Sequence, residues 1–368
     1  MRLDRNCIVF TGGGTGGHVY PGLAVIEALR RQWPGRIVWI GSGKAVEREA
    51  VEQAGVEFLS ISSGKFRRSL SLRNFSDLFR ILAGFFQSVA ILRRLKPCLL
   101  FSKGGYVSVP PCAAAAFLKI PYFTHESDVS PGLATRLNAG SAAAIFVSWQ
   151  DTLQYLKPQW QRKSLIAGNP VRAAIATGDA ARGRRFLGSP DALPLILVLG
   201  GSQGAEQVNK LIQSVLPELA GKAFVAHQTG SAGLPCRPAD SGYKGFAYLH
   251  QELPDVYAAA TVIVGRAGAG TIWEACAARK PLILIPLYGP DTRGDQVHNT
   301  RLLQSADAAL GLIGDEATPE NLLTALTQIL HTDGRADKLV ERASAVMNPN
   351  AAADIAAVVL SQIGRTAI

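Results

Sequence analysis

The chain has 368 residues, 48% hydrophobic and 18% charged, which suits a large buried core, two α/β domains more readily than one, and excludes a wholly disordered polypeptide. Its five cysteines, Cys7, Cys98, Cys112, Cys236 and Cys276, are scattered and never spaced as C-x-x-C, which argues against a disulfide framework or a zinc site and reads as reduced thiols. The net charge of +10 is local: residues 65–96 hold eight Lys or Arg against Asp77 alone, so the anionic partner is a nucleic acid, a membrane surface or a phosphorylated substrate.

The predicted elements begin with the strand Cys7 to Phe10, too close to Met1 to leave room for a signal peptide, and no uninterrupted apolar run reaches spanning length. A cytosolic protein is the expectation. The strand runs into a glycine loop that fits G-x-G-x-x-G with Gly12, Gly14 and Gly17, a pattern whose backbone N–H groups and following helix start seat phosphate. His18 closes the loop at the start of a helix, which favours the neutral imidazole a general base requires. The second strand, Ile37 to Ile40, ends in Gly41-Ser42-Gly43 with no ribose-binding carboxylate, and no G-K-[ST] follows the loop. Nicotinamide, flavin and ordinary P-loop readings are weakened accordingly.

The basic segment interleaves Arg67, Arg68 and Arg80 with Phe66, Phe75, Phe79, Phe85 and Phe86. From Phe75 onward the spacing is helical, and the apolar stripe is too wide for core packing alone, so a peripheral face on anionic lipid is expected. Ser102 to Tyr106 and His125 to Asp128 each follow a predicted strand, which places them on the carboxyl-end rim beside the glycine loop. Glu126 or Asp128 could orient or deprotonate an acceptor hydroxyl; Glu126 could equally pair with Lys103 or Arg136.

After a hinge near Gly168 to Arg172 the architecture starts again. The strand Leu195 to Leu199 enters a second glycine turn containing Ser202 and Gln203, where backbone donors and a hydroxyl can meet phosphate oxygens, with Arg172 as a fixed cation. A third turn, Gly265 to Thr271, precedes Glu274, either a partner of the helix dipole or a ligand of both ribose hydroxyls. Gln296 and Asn299, three apart at a helix start, share one face and suit sugar hydroxyls. No D-x-D pair occurs and the six histidines form no ligand spacing, so no metal is expected.

The runs Gly12 to His18 with Pro21-Gly22, Ser102 to Tyr106, His125 to Asp128 with Pro131-Gly132, Gly168 to Arg172, Gly200 to Ala205, Arg266 to Glu274 and Asp295 to Asn299 together resemble the MurG family of peptidoglycan glycosyltransferases. The likeness extends in order from about residue 7 to residue 345. It implies a GT-B fold, α/β with two Rossmann-like parallel-sheet domains facing across a cleft. The domains would be residues 1–165 on the acceptor and membrane side and 166–345 on the donor side, with 346–368 a C-terminal helix returning to the first. It implies inverting, metal-independent and cofactor-free transfer of N-acetylglucosamine from UDP-GlcNAc to the muramyl 4-hydroxyl of an undecaprenyl-diphosphate-linked muramyl-pentapeptide. The partners would be those two substrates and an anionic membrane surface at the cytoplasmic face, with no nucleic acid.

By the same resemblance Ser202, Gln203 and Arg172 fall at the diphosphate, Leu249 or His250 near the uracil, and the Ala269 backbone near phosphate or uracil. Glu274 would take the ribose, and Gln296 with Asn299 the sugar. Thr15, Gly16, Gly17, His18 and Asp128 would face the acceptor, with His18 as base. The alternatives are a GT-B transferase acting on another lipid, or a non-catalytic basic module that binds lipid or RNA.

Overall fold

A computed structural model describes residues 6–64, 72–200, 205–230, 242–290 and 292–366, with the side chains at 72–76, 365 and 366 outside that description. The chain forms two units: Met1–Pro170 together with Asn350–Ile368, and Val171–Pro349.

In the first unit, uninterrupted apolar runs form β1 (Cys7–Thr11), β2 (Arg36–Gly41), β3 (Glu57–Ser60), β4 (Leu99–Ser102), β5 (Tyr122–Glu126), β6 (Ala144–Val147) and β7 (Ser164–Ile166). They pair in parallel in the order β3-β2-β1-β4-β5-β6-β7. The runs do not alternate because helices cover both faces of such a sheet. Among those helices are α1 (Tyr20–Arg30), α2 (Ala45–Gln53), α3 (Leu72–Leu95) and α4 (Val109–Phe117). One face carries a row of rings, with Phe10 5.2 Å from Phe101, Phe101 6.0 Å from Phe146, and Phe146 5.6 Å from Phe123. Ile26 and Leu29 of α1, and Ile355, Ala356 and Val359 of the helix Ala351–Thr366, close that core. On the other face, Val89 and Leu92 of α3 and Cys112, Ala114 and Ala115 of α4 pack with Val9, Leu100 and Ile145.

The second unit repeats the plan with β8 (Leu195–Leu199), β9 (Phe224–Gln228), β10 (Tyr243–Phe246), β11 (Val262–Gly265), β12 (Leu282–Leu284) and β13 (Leu310–Gly311), all parallel, in the order β10-β9-β8-β11-β12-β13. Its core joins Ile196, Val198 and Val264 to Val208, Ile212 and Val215 of the helix Glu206–Leu219 and to Leu322 and Leu326 of the helix Pro319–His331. In each sheet the strand order reverses about its first strand, between β1 and β4 and between β8 and β11. That reversal leaves a crevice at the carboxyl ends, where open α/β sheets bind ligands.

The helical run 335–364 has the length and apolarity of a membrane span. It consists of two helices, Arg335–Val346 and Ala351–Thr366, whose Leu339 and Ile355 are buried in the two different cores. Because Ile355 is fully buried, Ile355→Ala is expected to destabilise the first unit by about 2–5 kcal/mol. An unchanged unfolding midpoint in urea or on heating would show that this helix is not part of that core.

Candidate active site

The first unit's crevice is built from three segments far apart in sequence. After β1 the loop turns through a 3₁₀ turn, Gly16–His18, before α1. The indole of Trp39 donates to Gly12 O at 3.2 Å and the amide of Lys103 to Thr11 O at 2.7 Å, so the neighbouring strands β2 and β4 hold the loop's root. His18 Nδ1–H donates to Lys103 O at 3.3 Å, which leaves the imidazole lone pair on Nε2, the arrangement of a general base. The ring comes this close only because residue 105 lacks a side chain: a Cβ on Gly105 (φ +76°) would lie 2.9 Å from His18 Cδ2 and 2.4 Å from Gly13 O. Thr15 and Gly17 are exposed at the lip and Gly16 is half-buried.

One donor of the phosphate seat expected on this loop, the Gly14 N–H, is already taken within the protein. Glu47, one turn into α2 and 2% exposed, accepts the Gly14 N–H through one oxygen and the Ser42 N–H and hydroxyl through the other, at 2.8 and 2.7 Å. A carboxylate there satisfies the Gly14 and Ser42 donors and repels an anion brought beside it. Glu47 gave no sequence signal beyond its place in a first helical turn.

Glu126 is corrected from a candidate base to a loop anchor. It is buried, and its oxygens accept from the backbone of Ser127, Asp128 and Gly132 and from the Thr135 hydroxyl. Asp128, held through its own N–H by Glu126, is half-buried on the same rim. Beneath it lies Lys103, 1% exposed, which the sequence suggested only as a rim residue and a possible partner of Glu126. Its ammonium donates to His125 Nδ1 at 3.0 Å and to the Ser127 hydroxyl, while His125 Nε2–H donates to Gly168 O at 2.9 Å. Burial, and then the Lys103 charge, hold His125 well below the ordinary imidazole pKa, so it is neutral. Burial pulls Lys103 from 10.5 to about 8 against the attraction of Glu126 and Asp128.

In the second unit, β11 leads to the helix Ala269–Ala277. A side chain built at Gly268 or Gly270 would meet nothing within 4 Å, so this helix start faces open space and its N–H groups suit an anion. Glu274 accepts from Arg172 Nη2 at 3.3 Å and from the Tyr257 hydroxyl at 3.1 Å. Its pKa is raised by burial, and Arg172 partly offsets that rise. The two residues assigned to ribose and diphosphate are thus direct neighbours.

Gln296 is half-buried and accepts the Leu287 N–H at 2.9 Å. Asn299, expected at the sugar, is fully buried and donates to Ala267 O at 3.0 Å, so in this structure it braces the turn before that helix start. Leu249 is a core side chain whose N–H donates to Gln228 at 2.9 Å, with His250 exposed beside it. Ser202 and Gln203 lie outside the described residues.

On α3, Phe79 (59% exposed), Leu82 (48%) and Phe86 (67%) form an apolar patch extended by Phe117 (63%) of α4, with Arg80 alongside. Phe85 is corrected: it packs on the core and edge-on to Phe117 at 6.0 Å, so Phe86 is the exposed member of the pair. Phe66, Arg67, Arg68 and the side chain of Phe75 lie outside the described residues.

Lys103 loses its proton near pH 8 when folded and near 10.5 when unfolded. Between these values the unfolded chain binds more protons, so stability attributable to Lys103 rises with pH across that window. The wild type is expected to gain melting temperature relative to Lys103→Met over the window; parallel pH profiles for the two proteins would contradict this burial.

Residues 8–147 match the Glycosyltransferase family 28 N-terminal domain and residues 195–359 its C-terminal domain. A UDP-N-acetylglucosamine--N-acetylmuramyl-(pentapeptide) pyrophosphoryl-undecaprenol N-acetylglucosamine transferase of Treponema denticola is 45% identical over 88% of this chain and 88% of its own. The Treponema pallidum enzyme of the same name is 43% identical over 95% of this chain and 94% of its own. The crystal structure of Acinetobacter baumannii MurG shares the fold, with TM-score 0.71 and 22% identity over 96% of this chain and 99% of that one. The chain therefore belongs to the family of UDP-N-acetylglucosamine--N-acetylmuramyl-(pentapeptide) pyrophosphoryl-undecaprenol N-acetylglucosamine transferases, the MurG enzymes of the GT-B fold.

Proposed function

We infer that the protein transfers N-acetylglucosamine from UDP-GlcNAc to undecaprenyl-diphosphate-linked muramyl-pentapeptide, converting lipid I to lipid II in peptidoglycan synthesis. The observation that carries this is identity of 45% to a relative of that name across both units. In the mechanism we propose, His18 Nε2 takes the proton of the muramyl 4-hydroxyl as that oxygen attacks the anomeric carbon. The bond to the diphosphate breaks with its electron pair leaving on UDP, and the configuration inverts. The Nδ1–H bond to Lys103 O fixes the tautomer for this step, and Gly105 keeps the ring in place. Asp128, with Thr15, Gly16 and Gly17, orients the acceptor sugar.

An inverting displacement needs its base on the face opposite the leaving group, so the division of labour is a base from the first unit and a nucleotide held by the second. There Glu274 takes the ribose hydroxyls, its charge shared with Arg172. The start of the helix Ala269–Ala277 and the Ser202–Gln203 turn receive the diphosphate, Leu249 through its backbone or His250 lies near the uracil, and Gln296 meets the sugar. The exposed Phe79, Leu82, Phe86 and Phe117 beside Arg80 support docking on anionic lipid at the cytoplasmic face.

With lipid I and UDP-GlcNAc the purified protein is expected to form lipid II without added metal; transfer to a different lipid instead would refute the substrate assignment. His18→Ala is expected to lower kcat by about 10²–10⁴ while calorimetric affinity for UDP-GlcNAc stays near wild type. Co-sedimentation with anionic vesicles should fall for the Phe79→Asp/Phe86→Asp double variant, and full retention would argue against the docking face.

A further inference from the structure

Between the start of α2, the end of β3 and α3 lies a polar cleft of about 590 Å³, wholly within the first unit. Its walls include Lys44, Arg48 and Arg80 and the hydroxyls of Ser42, Ser62 and Tyr106. The loop after β3 closes on α3 because residue 84 is glycine: a Cβ there would lie 2.0 Å from Ser62 O. Gln87, one helical face along from Arg80, accepts the Ser62 N–H at 2.7 Å. The cations are exposed and weakly engaged. Lys44 lies 5.9 Å from the Tyr106 ring centroid, Arg48 pairs with Glu52 at 3.4 Å, and Arg80 with Asp77 at 3.7 Å. Pairs this long and this exposed yield readily to a stronger anion. No carboxylate is among the described residues that line the cleft, and the nearby Glu47 of α2 is turned to Gly14 and Ser42.

The cleft joins two features already described. At one end Tyr106 packs against Gly14, where an added Cβ would come within 2.7 Å of its ring, and Gly14 belongs to the loop that ends in His18. At the other end Arg80 and Gln87, seven residues apart on one face of α3, are flanked by the exposed Phe79 and Phe86. Apolar patch, cationic cleft and candidate base therefore follow one another in the order prenyl chain, diphosphate, sugar.

We propose that this cleft, and not the first glycine loop, holds the diphosphate of the acceptor, with Lys44, Arg48 and Arg80 as its ligands. The assignment rests on the lipid-linked acceptor inferred above. It explains why the loop can donate Gly14 N–H to Glu47 and still serve a diphosphate substrate: the anion sits one helix start away. Three cations around a diphosphate give charge-assisted hydrogen bonds that a single phosphate only partly recovers.

The test uses the full chain and the Lys44→Gln/Arg48→Gln variant in vesicle-free buffer, so that lipid headgroups play no part, with folding verified by circular dichroism. Calorimetric titration with geranyl diphosphate and geranyl monophosphate reads the cleft directly and does not depend on turnover. The diphosphate is expected to bind wild type more tightly than the monophosphate, and the variant to lose that preference with at least about tenfold weaker diphosphate binding. In transfer assays with a short-prenyl diphosphoryl muramyl-pentapeptide, the acceptor KM should rise by a similar factor while the UDP-GlcNAc KM holds, and Lys44→Arg/Arg48→Lys should restore it. Equal weakening toward both geranyl phosphates, or an unchanged acceptor KM, would overturn the proposal, the former pointing to peptide carboxylates as the anion read here. Failure of wild type to transfer at all, with the geranyl preference intact, would instead count against the substrate reading.

Discussion

In an open parallel sheet each crossover must run to one side or the other, and where the direction changes the ends of two neighbouring strands are left uncovered. In the first unit that point falls between β1 and β4, and everything proposed for proton transfer depends on it. It sets the loop of residues 12–18 against residues 102–106, which are separated by more than eighty positions in the chain. The next strand along, β5, adds residues 125–128 to the same rim. No local preference in any of these segments could do this alone. The second unit repeats the reversal at β8 and β11 and brings the carboxyl ends of those two strands side by side.

Three buried charges hold the rim in shape. Glu47 fixes the first glycine loop, Glu126 the loop that carries Asp128, and Lys103 the neutral His125 between them. A buried charge is costly unless its partners are supplied, and here the partners are backbone amides, hydroxyls and the His125 ring of the very segments that must be positioned. The ionic groups therefore behave as internal templates. The side chain proposed to meet substrate, His18, is by contrast half-buried, and its contact with the Lys103 carbonyl sets its tautomer.

The alternation of short apolar runs with helical patterns was enough to read two parallel-sheet halves, because strands covered on both faces leave that signature whatever their neighbours. Residues that announce themselves locally, such as the glycine turns and His18, were also legible. Roles that depend on depth were not. Glu126 and Asn299 look like polar rim residues in sequence, yet both are buried and satisfied by loop backbone. The carboxylate sought at the end of β2 arrives there from Glu47 on α2 and grips the loop in place of a ribose. Phe85 and Phe86 are adjacent letters, and only the packing of α3 on α4 decides which one meets solvent.

The chain leaves the first unit after Pro170 and re-enters it at Asn350, so the second unit is an insertion within the first, joined to it by two covalent strands of backbone. The last nineteen residues are stitched to α1 through the core that contains Ile355 and Val359. A fragment ending at the first crossing would expose the apolar surface those residues cover, whereas one that splices the tail back on keeps it closed. A single backbone nick in either linker would also leave the units attached through the other, so proteolysis there need not release the acceptor half from the donor half.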